Sequence, residues 1–446
     1  MKKQLHRSGK RPSVPLKSRL GMTTVNGEPT MSRHFFRARV AAVACAITFL
    51  PALLTAQDED SLNLFARPER NKADLSPKQS RMLAKLREQT STVKAEPVMI
   101  NEDAFRADRL RLNLDSKSLL AKRLTMEELP GGYTWTGSVT DNEKEPPTAA
   151  QFLVKGQHKT GSFAAGKYIY ELRSLGQGLH VLITRDPSKA PKDHPPEFKK
   201  IERDSGQKPA PPDNTRLDTI PGKKPNAIPV TLLIAYTQGV SDLHDDMKAD
   251  MDSLLALYVN KTFRVPGIPL TIDVVHLHPV DYQESGNLVT ELADLQGTRD
   301  GQMDEVHALR TKYNADIVTL LVETGNYAGY SAAIRADHDS AFSVVMEEWA
   351  GINYSLAHEI GHLFGGRHNR QDDAAVIPYP HGHGYHFSRG KWRTIMACEC
   401  GDADCRRLGI WSSPYVEVNG VKAGTAALEY NARVMTDEAP RMSQIK

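Results

Sequence analysis

Three histidines and a glutamate follow one another in the chain with the spacing H-E-x-x-H-x-x-G-x-x-H. On a helix, His358 and His362 lie four residues apart, so both side chains project from one face, one turn apart. Gly365 suits a sharp turn after that helix, because glycine adopts positive φ without penalty. Such a turn can bring His368 to the same metal as a third nitrogen ligand, which leaves a fourth position for water, as in catalytic zinc sites. Glu359 is then placed to take the proton from that water.

The residues around this motif predict the helix that carries it. Apolar residues recur at i, i+4, i+7 and i+8, and at 100° per residue this spacing gives one buried stripe almost opposite the first two histidines. These residues are Leu356, Ile360, Leu363 and Phe364. The alternative is an amphipathic helix with two surface histidines, and it leaves the downstream glycine and third histidine unexplained.

Two other groups of residues could bind metals. Residues 380–386 contain three histidines, but the density of glycine favours a mobile loop over a second metal site. Asp337, Asp339 and the turn at Asp300 could hold calcium, yet they lack the spacing of a calcium loop. We interpret them as solvated turns.

The elements that must position the motif alternate between strand and helix. Residues 230–236 form a continuous apolar run, suited to a sheet that is covered on both faces. Further strands are predicted at 270–275, 315–322 and 341–346, and helices at 245–259, 303–312 and 426–436. This order predicts an α/β (α+β) fold with a twisted mixed sheet. We expect residues 341–346 at the edge of the sheet, beside the cleft, where a substrate could add as an extended strand.

The chain divides into five segments by composition. Residues 1–30 are polar and basic, and we interpret them as a non-native upstream extension, with the true start at Met31 or Met22. Residues 31–56 have arginines, then an apolar run too short for a comfortable membrane span, which is typical of a signal peptide. An uncleaved anchor is the alternative. The remaining segments are a β-rich region, 57–186, a linker rich in Pro, Lys and Asp, 187–227, and the domain that carries the motif, 228–446.

The β-rich region is predicted from short strand-like runs at 133–139, 150–154, 167–172 and 179–183, which follow a charged helical stretch at 76–88. A signal, a small antiparallel β unit, a linker and a zinc domain form the layout of a secreted zymogen. Residues 57–225 contain no cysteine. A block of the zinc by this region must therefore be steric, or must use a carboxylate or a histidine.

These residues resemble the metzincin metallopeptidases, in which a methionine lies in a tight turn beneath the zinc. Thr394-Ile395-Met396-Ala397 places Met396 in that role. The chain is most similar to the secreted bacterial peptidyl-Asp metalloendopeptidases and their reprolysin-like relatives, from about residue 228 onward. The matching segments are 357–368, 392–397, 411–415 and 431–434, with 304–310 and 315–318 upstream. The resemblance implies a metzincin-type domain with an active-site helix and a C-terminal helix, and one catalytic Zn²⁺ held by His358, His362 and His368.

Two positions depart from the family pattern. Many metzincins have a tyrosine two residues after the methionine, where this chain has Cys398, and the related bacterial enzymes have an aspartate where it has Asn369. In a secreted protein a disulfide is expected. We expect Cys400 and Cys405 to pair, which leaves Cys398 as a free thiol. A structural zinc bound by these cysteines is the alternative.

Basic residues near the methionine turn suggest how the substrate is chosen. In metzincins the segment after this turn forms the wall of the pocket for the residue that follows the scissile bond. Here that segment carries Arg406 and Arg407, and Arg393 precedes the turn. The resemblance implies a preference for an acidic residue, and a guanidinium recognises a carboxylate well. We expect one of the three to face the pocket; the alternative is arginines on a solvated loop.

The sequence as a whole predicts a bacterial, secreted zinc endopeptidase made as a preproenzyme, which acts on proteins or peptides. A net charge of +3 without a basic, aromatic-rich patch gives no support for nucleic-acid binding. We expect a monomer without a stable membrane anchor. One alternative is a non-catalytic secreted module that keeps zinc for stability, although it has no use for Glu359. Another is a zinc amidase that acts on non-peptide amides.

Overall fold

The computed structural model describes residues 61–67, 75–114, 117–140, 148–194, 227–398, 400 and 405–446. The predicted upstream extension, the predicted signal peptide and most of the predicted linker lie outside these ranges. No helix within the described ranges is long and apolar enough to cross a membrane.

A large, mainly antiparallel sheet forms the first part of the described chain, and we call it the N-terminal sheet. Its ten strands run in the order β1-β4-β5-β6-β7-β8-β9-β10-β3-β2. They are Leu62–Asn63, Phe65–Ala66, Thr92–Ile100, Arg109–Asn113, Ser118–Leu129, Gly132–Thr140, Thr148–Lys155, His158–Ala165, Tyr168–Gly176 and Leu179–Arg185, numbered in chain order. Trp135, Phe152 and Phe163 fill its core. The four predicted strands lie at β6, β7, β9 and β10, but the sheet is larger than the small unit that we expected.

A second sheet of five strands carries the site. The strands are β11 Ile228–Tyr236, β12 Leu270–Pro279, β13 Ile317–Val322, β14 Gly329–Ser331 and β15 Phe342–Met346, in the order β12-β11-β13-β15-β14. All neighbours pair in parallel except β14, which runs antiparallel to β15. Residues of β11 are buried on both faces, as its continuous apolar run predicts. The structure confirms a mixed α/β fold.

The edge of this sheet differs from the prediction. Residues 341–346 were expected at the edge beside the cleft, but β15 pairs with β13 on one side and with β14 on the other. The edge is β14, a strand of three residues, Gly329–Ser331. So short a segment has no readable alternation in sequence, and only its pairing with β15 makes it a strand.

Nine helices lie within the described residues. They are α1 Pro77–Glu88, α2 Gln238–Ser241, α3 Met247–Leu254, α4 Asn260–Arg264, α5 Leu288–Gln296, α6 Glu305–Tyr313, α7 Glu347–Ala350, α8 Ser355–Phe364 and α9 Asn431–Met442. A π-helical turn, Leu255–Val259, joins α3 to α4. The last helix was predicted at 426–436 but begins later, because Thr425 and Glu429 close a tight turn by exchanging backbone hydrogen bonds. Short strands follow the motif: β16 His386–Phe387, β17 Trp392–Arg393, β18 Arg406–Arg407, β19 Ser413–Val418 and β20 Val421–Ala423.

The N-terminal sheet meets the second part of the chain through buried ion pairs, which we call the charge network. Arg173 donates to Glu347 at 2.7 Å, and Arg185 donates to Glu348 at 2.9 Å. Glu171 accepts from both arginines. All five side chains are at most 11% exposed. Buried charges are tolerated when each has partners, so the network gives this contact one specific geometry.

Candidate metal centre and cleft

Helix α8 and the turn after it bring the three predicted histidines together. The helix ends at Gly365, whose φ of 107° reverses the chain and returns His368 towards the helix. The Nε2 atoms of His358 and His362 are 3.1 Å apart. The Nε2 atom of His368 lies 3.2 Å from that of His358 and 3.1 Å from that of His362. The turn glycine therefore does what the sequence predicted.

Two of the three rings are held in place through their Nδ1 atoms, which leaves Nε2 for the contacts within the cluster. His358 donates from Nδ1 to the carbonyl of Ile395 at 2.7 Å, and His362 donates from Nδ1 to the carbonyl of Gly366 at 2.9 Å. Burial lowers the pKa of all three histidines well below its usual range, so the rings stay neutral. Neutral rings with Nδ1 bonded to carbonyls present bare Nε2 atoms, which is the usual arrangement of histidine metal ligands.

The distances between these atoms fit zinc. Two nitrogens at 2.0–2.1 Å from a tetrahedral zinc are about 3.3 Å apart, close to the 3.1 and 3.2 Å separations seen here. Bare lone pairs at such distances repel one another unless a cation lies between them. The donor set therefore fits a zinc ion.

Glu359 follows the first motif histidine on helix α8 and is buried against the edge strand. Its Oε2 atom accepts a hydrogen bond from the Ser331 hydroxyl at 2.6 Å. A Cβ on Gly329 would lie 2.4 Å from Oε1 of Glu359, so β14 approaches the carboxylate closely because residue 329 is glycine. Burial raises the pKa of Glu359 well above its ordinary value. Sequence reasoning missed Ser331, which belongs to the unrecognised edge strand.

Met396 lies directly against the motif helix. A Cβ on Gly361 would come within 2.4 Å of its sulfur, so this glycine, at a variable position of the motif, makes room for the methionine. Met396 and the neighbouring Trp411 are fully buried. The methionine thus supports the helix turn that carries His358 and His362.

Two of the three candidate arginines meet in the cleft. Strands β17 and β18 pair in parallel with Arg393 opposite Arg407, so the two side chains leave the same face of the pair. Each guanidinium donates to the Ala397 carbonyl, and each is less than 8% exposed. Arg406 points elsewhere, because neighbouring residues of a strand face opposite sides, and it donates to the carbonyl of Gly166. We name Arg393 and Arg407 the arginine pair.

A segment that the sequence assigned to the linker lies in the cleft. Residues 187–194 continue from the N-terminal sheet through a short 3₁₀ helix, Pro187–Lys189. Asp193 accepts from Arg407 at 2.7 Å and from Arg393 at 2.9 Å. Burial opposes its charge, but the two arginines outweigh burial and hold the pKa of Asp193 well below its usual range. The composition of this segment is that of a linker, and it contains no periodic signal that could have revealed the contact.

His194 follows Asp193 and joins the histidine cluster. Its Nε2 atom lies 2.7 Å from that of His358 and 3.2 Å from that of His362. Its side chain is 5% exposed, and Nε2 is 3.8 Å from Oε1 of Glu359. The candidate ligand atoms of the four histidines all lie within 4.8 Å of one another.

The histidine-rich segment after the motif is folded against the site. His383 is fully buried and donates from Nδ1 to the carbonyl of His368 at 2.8 Å. A Cβ on Gly384 would lie 2.6 Å from the Ala397 nitrogen, so this glycine permits a close backbone approach. The aspartates that we interpreted as turn residues do cap turns: Asp337 accepts from the Ser340 backbone and Asp300 from that of Gln302.

The two departures from the family pattern contact each other. Asn369 accepts from the Cys398 backbone N–H at 2.8 Å, which ties the third histidine to the segment after Met396. Burial raises the pKa of the Cys398 thiol well above its ordinary value, and the thiol is free. Cys400 and Cys405 are joined by a disulfide, as expected from the sequence.

Similarity to known proteins agrees with this geometry. Residues 227–408 match the family model Reprolysin_5, described as metallo-peptidase family M12. A protein of Stenotrophomonas maltophilia named peptidyl-Asp metalloendopeptidase is 32% identical over 374 residues, which cover 80% of this chain and 87% of that protein. A protein of the same name from Xanthomonas campestris is 29% identical over 359 residues, 78% of this chain and 84% of that protein. A third, from Pseudomonas fragi, is 33% identical over 147 residues, 32% of this chain and 76% of that protein.

Proposed function

The chain belongs to the M12 metallopeptidases and is a metalloendopeptidase, and from this membership we propose that it is a zinc enzyme in which Glu359 is the general base and the arginine pair selects an acidic residue after the scissile bond. The observation that carries the proposal is the meeting of three bare histidine nitrogens, one buried carboxylate and two guanidiniums in one cleft. The names of the relatives, which specify Asp, support the acidic preference.

His358, His362 and His368 would hold the zinc ion, and the Nδ1 bonds of His358 and His362 to backbone carbonyls keep those two rings oriented. Zinc, when bound there, would supply a Lewis acid that polarises the scissile carbonyl and makes water acidic enough to react near neutral pH. Met396 supports the helix beneath these ligands. Glu359 is not a ligand in this proposal.

Glu359 would accept the proton of the attacking water and return it to the amine of the leaving peptide. The hydrogen bond from Ser331 holds one carboxylate oxygen, Oε2, and leaves Oε1 beside Gly329, 3.8 Å from Nε2 of His194. A group that takes and returns a proton works best when its pKa lies near the working pH. Burial shifts the pKa of Glu359 upwards, which is the required direction.

The arginine pair would bind the carboxylate of the substrate residue that follows the cut. Two buried guanidiniums side by side repel each other and need an anion between them. A substrate Asp or Glu side chain would supply that anion, whereas an apolar residue would leave the two cations unpaired. The substrate backbone would lie along β14, which offers an open edge for an added strand.

We also propose that the enzyme is made as a precursor and secreted. We place the signal peptide at 31–56, after the upstream extension 1–30, and assign 57–186 to a propeptide that is removed from the domain at 228–446. The disulfide between Cys400 and Cys405 suits an oxidising compartment outside the cytoplasm. In this account the mature enzyme is a secreted monomer.

Digestion of a denatured protein mixture tests the central proposal. The mature enzyme should cut many proteins internally, lose this activity in a chelator, and regain it on addition of stoichiometric Zn²⁺. Binding of proteins without any cleavage would favour the non-catalytic module, and hydrolysis confined to non-peptide amides would favour the amidase. Cleavage that persists in chelator would contradict the role of zinc.

A further inference from the structure

The segment Lys192-Asp193-His194 contacts the backbone next to β14, the arginine pair and the histidine cluster in turn. The carbonyl of Lys192 accepts from the N–H of Ala328, just before the edge strand β14. Asp193 lies between the arginine pair, and His194 lies among the motif histidines. These contacts occupy the edge of the sheet, the recognition pocket and the metal position in turn. They are the three places at which the proposed function puts a substrate.

We propose that residues 192–194 are an inhibitory latch, in which His194 is the fourth ligand of the zinc ion and Asp193 holds it there by occupying the arginine pair as a substrate carboxylate would. The latch rests on the proposed function, because it requires a zinc site and an acid-binding pocket. It adds the residues that keep the uncut chain inactive.

The position of His194 fits a metal ligand. Its Nε2 atom is 2.7 and 3.2 Å from two of the motif nitrogens, whereas two ligands of a tetrahedral zinc are about 3.3 Å apart. Its ring lies 4.7–4.9 Å from each of the other three, centre to centre. Four protein ligands close a zinc site, and closed sites are structural whereas open ones are catalytic. With His194 in place, water would have no ligand position.

Asp193 fixes the position of His194 in the latch. A histidine at the end of a flexible segment would compete weakly with water for the metal, because ordering the segment costs conformational entropy. The adjacent carboxylate is 10% exposed and accepts from both arginines at 2.9 Å or less. Hydrogen bonds between charged groups are among the strongest in proteins. The buried anion therefore holds the backbone of the next residue at the metal.

The N-terminal sheet supports the latch from the other end. Residue 185 is the last residue of β10, and Arg185 is bound to Glu171 and Glu348 in the charge network. Seven residues lie between Arg185 and Asp193, and the 3₁₀ helix takes three of them. The segment thus leaves a rigid sheet and reaches the cleft without a long free stretch. Anchoring at both ends raises the effective concentration of His194 at the metal.

The test uses the intact chain with Glu359→Gln, which should stay uncut, loaded with Co²⁺ in place of zinc. In this background His194→Ala should change the visible d–d absorption, because a water replaces one nitrogen ligand. Removal of the metal by chelator should also become at least about tenfold faster, as expected when a metal site loses a supporting group. Asp193→Asn, which leaves the histidine intact, should change both readouts in the same direction and by less. Lys189→Ala, an exposed residue of the same segment, is the matched control and should resemble the parent.

Unchanged cobalt absorption and unchanged metal release in a folded His194→Ala chain would overturn the latch. A change with Lys189→Ala as large as that with His194→Ala would overturn it as well, since the effect would then follow general loosening of the segment. Failure of the parent chain to bind one metal ion would instead contradict the proposed function. The latch and the proposed function are therefore contradicted by different results.

Discussion

The histidine cluster and the arginine pair lie in the same cleft and are built by different means. The cluster comes from one helix and the turn after it, within eleven residues, and local geometry alone brings His358, His362 and His368 together. The arginine pair comes from two short strands whose pairing places Arg393 opposite Arg407. The cluster supplies neutral lone pairs for a cation, and the pair supplies cations for an anion. The cluster thus follows from local geometry, whereas the meeting of the two arginines depends on tertiary structure.

The largest effect is expected at the cluster. Glu359→Gln should keep the metal and the fold but lower kcat by about 10⁴-fold, because it removes only the group that carries the proton. The measurement is peptidase activity together with bound zinc per chain, compared with the unchanged mature enzyme. Substantial activity with full zinc content would contradict the assigned mechanism, because Glu359 would then not be the general base.

The next effect concerns the arginine pair. Arg407→Ala or Arg393→Ala should reduce kcat/KM for a substrate with Asp after the cut by about 10- to 100-fold, the equivalent of about 1.5–3 kcal/mol for a hydrogen bond between charged groups. The same variants should change cleavage of an Ala-containing analogue far less. Arg406→Ala is the matched control, since its side chain contacts the carbonyl of Gly166 and not the pair. An equal loss for all three arginines would show that the pair has no special role.

Sequence reasoning could reach the cluster because its spacing has a direct helical meaning. Gly365, with its positive φ, was predictable for the same reason. Sequence reasoning could not choose among the three arginines, because the choice depends on the register of β17 with β18, and each of these strands has only two residues. Nor could it place Asp193, whose partners are 200 and 214 residues away in the chain. The edge strand β14, with Ser331, was missed because three residues are too few to show a period.

A third prediction concerns His244, which lies next to the charge network, with its Nε2 atom 3.2 Å from the Glu347 carboxylate. Burial alone would lower the pKa of His244, but Asp250 and Glu347 raise it to about 9. A raised pKa means that the contribution of His244 to stability is complete below about pH 6.5 and is lost as the pH rises through about 9. The intact Glu359→Gln chain should therefore lose about 2 kcal/mol of unfolding free energy between pH 7 and pH 10. Denaturant unfolding at both pH values measures this loss.

His244→Gln in the same chain is the control for that experiment. It should lower stability at pH 7 and show a smaller loss on going to pH 10. An identical loss in both chains would assign the pH dependence to other groups. Metal content should stay the same, because His244 and its partners Asp250 and Glu347 belong to the contact with the N-terminal sheet.

The smallest effect is expected at Cys398, which lies between the two regions. Its thiol is neutral because burial raises its pKa, so it contributes little to a developing negative charge. Cys398→Tyr should leave kcat/KM of the mature enzyme equal or raised by up to about threefold, since a phenol can donate a hydrogen bond to that charge. Cys398→Ser is the conservative control and should be mild. A tenfold loss in the tyrosine variant would mean that the thiol has a role of its own.

The most direct test of the account is to sequence the new amino termini that the mature enzyme creates in a denatured protein mixture. We expect these termini to begin mainly with Asp or Glu, and the enrichment to disappear in Arg407→Ala but to persist in Arg406→Ala. Zinc-dependent cleavage with bulky apolar residues at the new termini would contradict it. In that case the histidine cluster would still be the metal site, but the arginine pair would not select an acidic substrate residue.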